Sequence, residues 1–132
     1  MTTNTAIQTA IFEAVKTYAA MNDIPVSFPG VGFEPPPSGQ WLELIFLPND
    51  DLGNPINPGG NYAPQGLFRI NCCDRQNTGA LKLSALADDV VASFPMGRVL
   101  VDNVRVSGKP QQTELGVGDG VMRVAVTVAY IG

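Results

Sequence analysis

The stretch Ala63–Gly97, APQGLFRINCCDRQNTGALKLSALADDVVASFPMG, constrains this chain more than any other. Within it, Leu67–Cys73 alternates. Phe68, Ile70 and Cys72 fall on one side and Arg69, Asn71 and Cys73 on the other, the period-2 pattern of a strand with one buried face. A turn-forming run, Asp74–Gly79, follows. Beyond it Leu83, Leu86, Ala87, Val90 and Phe94 recur at intervals of three and four, which places them on one stripe of an α-helix. Asn77 or Thr78 is the expected cap of its first turn, where free N–H groups need an acceptor, and Pro95 with Gly97 ends it.

The flanks extend this order. Thr5–Met21 sets Ile7, Ala10, Ile11, Ala14, Val15, Tyr18 and Met21 on one face, an amphipathic helix that Asn22–Asp23 stops. Ser27–Gly39 is too rich in Pro and Gly for more than a short edge strand, and Pro35–Pro37 reads as stiff polyproline II. Trp41–Leu47 is a strand apolar on both sides, with Leu42, Leu44 and Phe46 opposite Trp41, Ile45 and Leu47. Arg98–Val101 and Val104–Ser107 flank Asp102–Asn103, a turn pair suited to an antiparallel hairpin. Lys109–Gly120 reads as a glycine-bearing loop, and Val121–Ile131 as a long closing strand.

Between two of these strands lies Pro48–Pro64, PNDDLGNPINPGGNYAP, which has almost no means of forming an element. Structureless connections of that length are uncommon in compact domains, and this one reads as an elongated hairpin arm. The expected fold is therefore α+β: a single domain over residues 1–132, a mixed or antiparallel sheet of about four to five strands, two helices packed on it, and the arm at 48–64. Two helices do not readily cover both faces of such a sheet. Either a neighbouring subunit covers the remainder, or the helices lie on opposite faces, or the proline-rich segment covers one.

The chemistry is sparse. The chain has no histidine, which removes the usual neutral-pH base, the commonest metal ligand and every Ser/His or Cys/His nucleophile pair. Cys72 and Cys73 are adjacent, so in a strand their side chains point to opposite faces. The reading is two reduced thiols, Cys72 in the core and Cys73 near a surface or interface. Gly116–Gly120 precedes a strand rather than a helix and lacks the Lys-Ser/Thr of a phosphate loop, so it reads as a turn. Asn49, Asp50, Asp51, Asn54, Asn57 and Asn61 lack the alternation and terminal Glu of a calcium loop, and a solvated or partner-contacting arm is the better reading. Asp88–Asp89 reads as a solvated helix face, and nothing brings Glu34, Glu43 and Glu114 together as an acid/base pair. No catalytic residue, cofactor or metal site is expected.

Eight basic residues against twelve acidic ones leave a net charge of −4, with no Lys/Arg cluster of the kind a nucleic-acid binder carries. The polar start Met1–Asn4 does not read as a signal peptide, and no apolar run is long enough to span a bilayer.

The order "PQG-F-I" in a strand, then a Gly/Ala-led helix bearing "LAD-V---FP-G", a preceding helix, a proline-rich entry and a closing "VAVTVAYIG", resembles the small tail-terminator (tail-completion) proteins of long-tailed bacteriophages. The resemblance runs from about Ile7 to Ile131. It implies a virion structural protein assembled in the host cytoplasm, whose α+β subunits close into a ring, typically a hexamer, on the head-proximal end of the tail tube. Such a ring stops tube growth and docks the head. Its implied partners are copies of itself, the tail tube protein and a neck or head–tail connector protein, with DNA passing through the lumen without specific binding. On physical grounds the expected contact residues are Asp50, Asp51, Leu52, Ile56 and Tyr62 on the arm, with Lys109 and Glu114 in the later loop. The rival readings are another ring of the same tail (tube subunit or neck connector) and, from a different class, a monomeric small-ligand module on a cystatin-like or ferredoxin-like sheet.

Overall fold

A computed structural model describes residues 3–48, 65–76 and 79–132. Its elements run α1 (Asn4–Asn22), β1 (Val26–Ser27), β2 (Trp41–Pro48), β3 (Gln65–Arg75), α2 (Ala80–Ser93), β4 (Val99–Val101), β5 (Val104–Val106), β6 (Gln111–Gly118) and β7 (Val121–Ile131). The strands form one seven-stranded sheet in the order β1-β2-β3-β7-β5-β4, with β6 also on β7. β1 runs parallel to β2 and every other pairing is antiparallel, so the sheet is mixed and the class is α+β as expected.

The strand count exceeds the expected four to five because two segments without alternation still pair. Val26–Ser27 forms a two-residue edge. Lys109–Gly120 is not a loop: Gln111–Gly118 pairs with β7 along its length, with a register shift between Glu114 and Gly116. Only Asp119 (φ 53°) and Gly120 (φ 75°) turn the chain, both in the left-handed conformation of a tight two-residue hairpin.

Both helices lie on one face. Leu42, Leu44, Phe68, Ile70, Cys72, Val124, Val126, Val128 and Tyr130 from the sheet are buried against Ile7, Ile11 and Val15 of α1 and Leu83, Leu86, Ala87 and Val90 of α2, with Phe94 just after it. The expected α2 stripe is the buried one. On α1 the stripe differs at its end, where Ala19 is buried and Met21 is exposed. The helix turns away there: Asp23 adopts a left-handed C-cap and the Ile24 N–H reaches back to the Ala19 carbonyl. At the start of α1 the Thr3 side chain accepts from the Ala6 N–H. At the start of α2, Gly79 occupies the N-cap with no side-chain cap bond. The expected caps Asn77 and Thr78 lie outside the described residues.

The opposite face is partly covered by the proline-rich segment, one of the arrangements left open by the sequence. Arg75 donates through Nε and Nη2 to the Pro36 carbonyl (3.1 and 2.6 Å) and lies 5.0 Å over the Trp41 ring. This strap closes a second small core of Trp41, Cys73 and Val121, with Phe33 packed against it. Cys73 is therefore fully buried, not near a surface as its place on the outer face suggested. Burial pushes the Cys72 thiol up to about 12. Cys73 is raised as well, first by burial and then by the Glu43 carboxylate beside it. Neither thiol is poised to ionise at neutral pH.

Candidate assembly surface

The residues expected to contact partners divide into two sets. Asp50, Asp51, Leu52, Ile56 and Tyr62 lie outside the described residues. Lys109 and Glu114 lie on or beside β6, and both are exposed. Glu114 stands opposite Val124 and so on the helix-covered face. The structure thus places Glu114 on an exposed strand rather than in a loop, while Lys109 stays in the connection just before it.

That strand has an open side. The Ser107 N–H donates to the Ala129 carbonyl (2.9 Å), so the odd-numbered residues of β7 turn their backbone groups toward β5 and β6. Gln111 and Thr113, opposite Thr127 and Ala125, are then hydrogen-bonded to β7, whereas the N–H and C=O groups of Gln112 and Glu114 point away from the sheet. Past the bulge at Leu115 the same holds for Val117. Among the described residues no strand pairs with this side of β6. All eight residues of β6 are exposed, including Leu115 (46%) and Val117 (57%).

The other end of the sheet has an open side too. The Leu42 N–H donates to the Pro25 carbonyl (2.9 Å), so the even-numbered residues of β2 face outward. β1 covers only Leu42 and Glu43, and Pro29, just past Ser27, has no N–H with which to continue the ladder. The Phe46 backbone groups consequently face outward with no paired strand among the described residues. Beside them, on the face away from the helices, Ile45 and Leu47 are 36% and 39% exposed.

Between these edges the uncovered face carries a polar ladder that no single strand discloses. Glu43 of β2 accepts from Arg123 of β7 (3.1 Å) and from Asn71 of β3 (3.3 Å). Burial works to raise the Glu43 pKa, but the hydrogen bonds from Arg123 and Asn71 outweigh it and hold the carboxyl below its ordinary range. A carboxyl depressed in the fold contributes stability above its unfolded pKa, and that contribution vanishes as pH falls through the folded value. Glu43→Gln is accordingly expected to cost about 1–2 kcal/mol at neutral pH, with the difference from wild type closing in acid below roughly pH 4. Urea melts across that range test this, and a constant difference down to pH 3 would refute it.

The two helices are tied to their surroundings by side chains expected to be merely solvated. Asp89 accepts from the Tyr18 hydroxyl of α1 (2.6 Å), and Asp88 from Gln112 of β6 (2.7 Å). Burial first, and Asp89 second, raise the Tyr18 pKa. A groove of about 630 Å³ passes this pair, lined by Asp23, Gln40 and Lys82 among others, yet the Tyr18 hydroxyl and Asp89 are already bonded to each other. Among the described residues no cluster of three or more His, Cys, Asp or Glu side chains is placed to hold a metal, and no helix is long and apolar enough to cross a membrane.

A family model described as phage tail terminator protein matches residues 6–130. One solved structure superposes with a TM-score of 0.79 at 20% identity, covering 99% of this chain and 96% of its own. A chain from the virion of a native gene transfer agent particle superposes with a TM-score of 0.65 at 17% identity, covering 95% of this chain and 94% of its own. At those identities the two structures share the fold. No curated protein matches.

Proposed function

The chain belongs to the phage tail terminator family, and from that premise we propose that it forms a homo-oligomeric ring, a hexamer in its simplest form, on the head-proximal end of the tail tube. The ring stops tube growth and offers its far side to the neck proteins below the head. The observation that carries this reading is the extent of the family match, which takes in both helices, all the strands and the connection between β2 and β3. The similarity to a chain of a virion particle supports a place in the particle.

The mechanism is geometric. A subunit with complementary surfaces on two sides makes heterologous contacts, and closure of those contacts is what separates a ring from an endless fibre. One ring face matches the last ring of the tube and leaves no surface for another tube subunit. A net charge of −4 keeps the lumen from gripping DNA phosphates. No enzymatic step is required. The arm residues Asp50, Asp51, Leu52, Ile56 and Tyr62, with Lys109 and Glu114, are the proposed partner contacts.

The expected result is a discrete closed oligomer, seen either in concentrated solution or at the ends of isolated tail tubes by electron microscopy. Protein that stays monomeric in solution and leaves tube ends bare would refute the ring.

A further inference from the structure

We propose that the ring junction is a backbone-paired one: the open side of β6 on one copy docks against the open half of β2, around Phe46, on the next. This rests on the ring reading above and names its interface. β6 presents outward N–H and C=O groups at Gln112, Glu114 and Val117, and β2 presents those of Phe46. The two edges lie at opposite sides of one sheet, with β3 and β7 between them. Each copy therefore carries one of each, which is the requirement for head-to-tail assembly.

The β6 edge lacks the usual protection, and on β2 only the terminal Pro48 supplies any. Exposed edge strands are normally blunted by lysine, proline or extreme shortness. β6 runs for eight residues with no lysine and no proline, and Glu114 is its single charge. Its bulge at Leu115 limits the regular stretch to Gln111–Glu114, about the length left open on β2 beyond β1. Apolar side chains flank both edges, Leu115 and Val117 on one and Ile45 and Leu47 on the other, and pairing would shelter them from water.

The size of the contact explains why closure matters. A few paired residues fall short of the roughly 800 Å² per partner that a stable dimer buries. In a closed ring every copy makes two such junctions, and a tube end that aligns the copies supplies the rest.

Proline and alanine at the same position separate this idea from its rivals. Gln112→Pro removes an outward N–H while leaving the β6–β7 bonds of Gln111 and Thr113 in place, a position where edge strands tolerate proline. It also removes the side-chain bond to Asp88, and so does Gln112→Ala, which keeps the N–H. The expected result is that Gln112→Pro keeps a near-native melting temperature yet needs at least roughly tenfold more protein to form rings or cap tubes, while Gln112→Ala assembles like wild type. A second measurement does not depend on proline. Ile45→Cys or Leu47→Cys mixed with Gln111→Cys or Thr113→Cys should give disulfide-linked dimers under mild oxidation, the native Cys72 and Cys73 being buried. A Gln112→Pro protein that assembles like wild type, or rings that form while all four mixtures stay uncrosslinked, overturn the junction and leave the ring standing. Wild-type protein that never assembles overturns the ring, and this junction falls with it.

Discussion

Phe94→Ala is expected to lose about 3–5 kcal/mol of folding free energy. Phe94 is fully buried where α2 ends, and its ring meets Phe68 of β3 edge-on, centroids 5.4 Å apart at 74°. The Arg98 guanidinium closes the other side, 4.8 Å from the ring centre. The substitution leaves a cavity bounded by a sheet strand and a helix end, neither of which can collapse without breaking its own hydrogen bonds. Since domains of this size are stable by only about 5–15 kcal/mol, the melting temperature should fall by roughly 10–20 °C. Leu81→Ala on the exposed side of α2 is the control and should change little, because Leu81 is 86% exposed. Equal melting temperatures for the two variants would mean that α2 packs by another face.

That the Phe94 stripe was readable from sequence, and β6 was not, has a physical cause. α2 and the first half of β3, up to Ile70, each bury one side only, so burial writes a period of 3.6 or 2 into the residues. β6 buries neither side. Gln111–Gly118 therefore carries no alternation, and it is a strand because β7 offers it a partner. The signal that was available is the Asp119–Gly120 pair ahead of the Val121 strand, a strong hairpin mark that a glycine-rich setting disguised as a loop. The polar ladder of Glu43, Asn71 and Arg123 was hidden for a different reason: it joins residues from three strands and becomes visible only once their register is known. Cys73 shows the same limit. Its outward place in β3 was correct, and its burial depends on Arg75 fixing the Pro36 carbonyl from 39 residues away in sequence.

Replacing Asn49–Tyr62 with a short Gly-containing turn is expected to leave the isolated fold intact and to disable the particle. β2 and β3 already face each other at Pro48 and Gly66, so the ends that the segment joins lie side by side in the sheet. A tight hairpin can bridge neighbouring antiparallel strands, and shortening such a connection alters folding free energy by about 1 kcal/mol through closure entropy. Thermal melts of the variant should therefore overlay those of wild type. The functional cost is of another order. The deleted residues include Asp50, Asp51, Leu52, Ile56 and Tyr62, a mixture of charge and apolar side chains in a segment too rich in Pro, Gly and Asn to be kept for its own structure. If those side chains supply the contact to tube or neck, phage carrying the deletion should make tails of uncontrolled length, or finished tails that never join heads, and plaque counts should fall by orders of magnitude. Electron micrographs of the lysate distinguish the two failures, the first pointing to the tube-facing side of the ring and the second to the neck-facing side. Normal infectious particles would show that the arm makes no essential contact, and the docking surface would then have to lie with Lys109, Glu114 and the rest of the 109–120 hairpin.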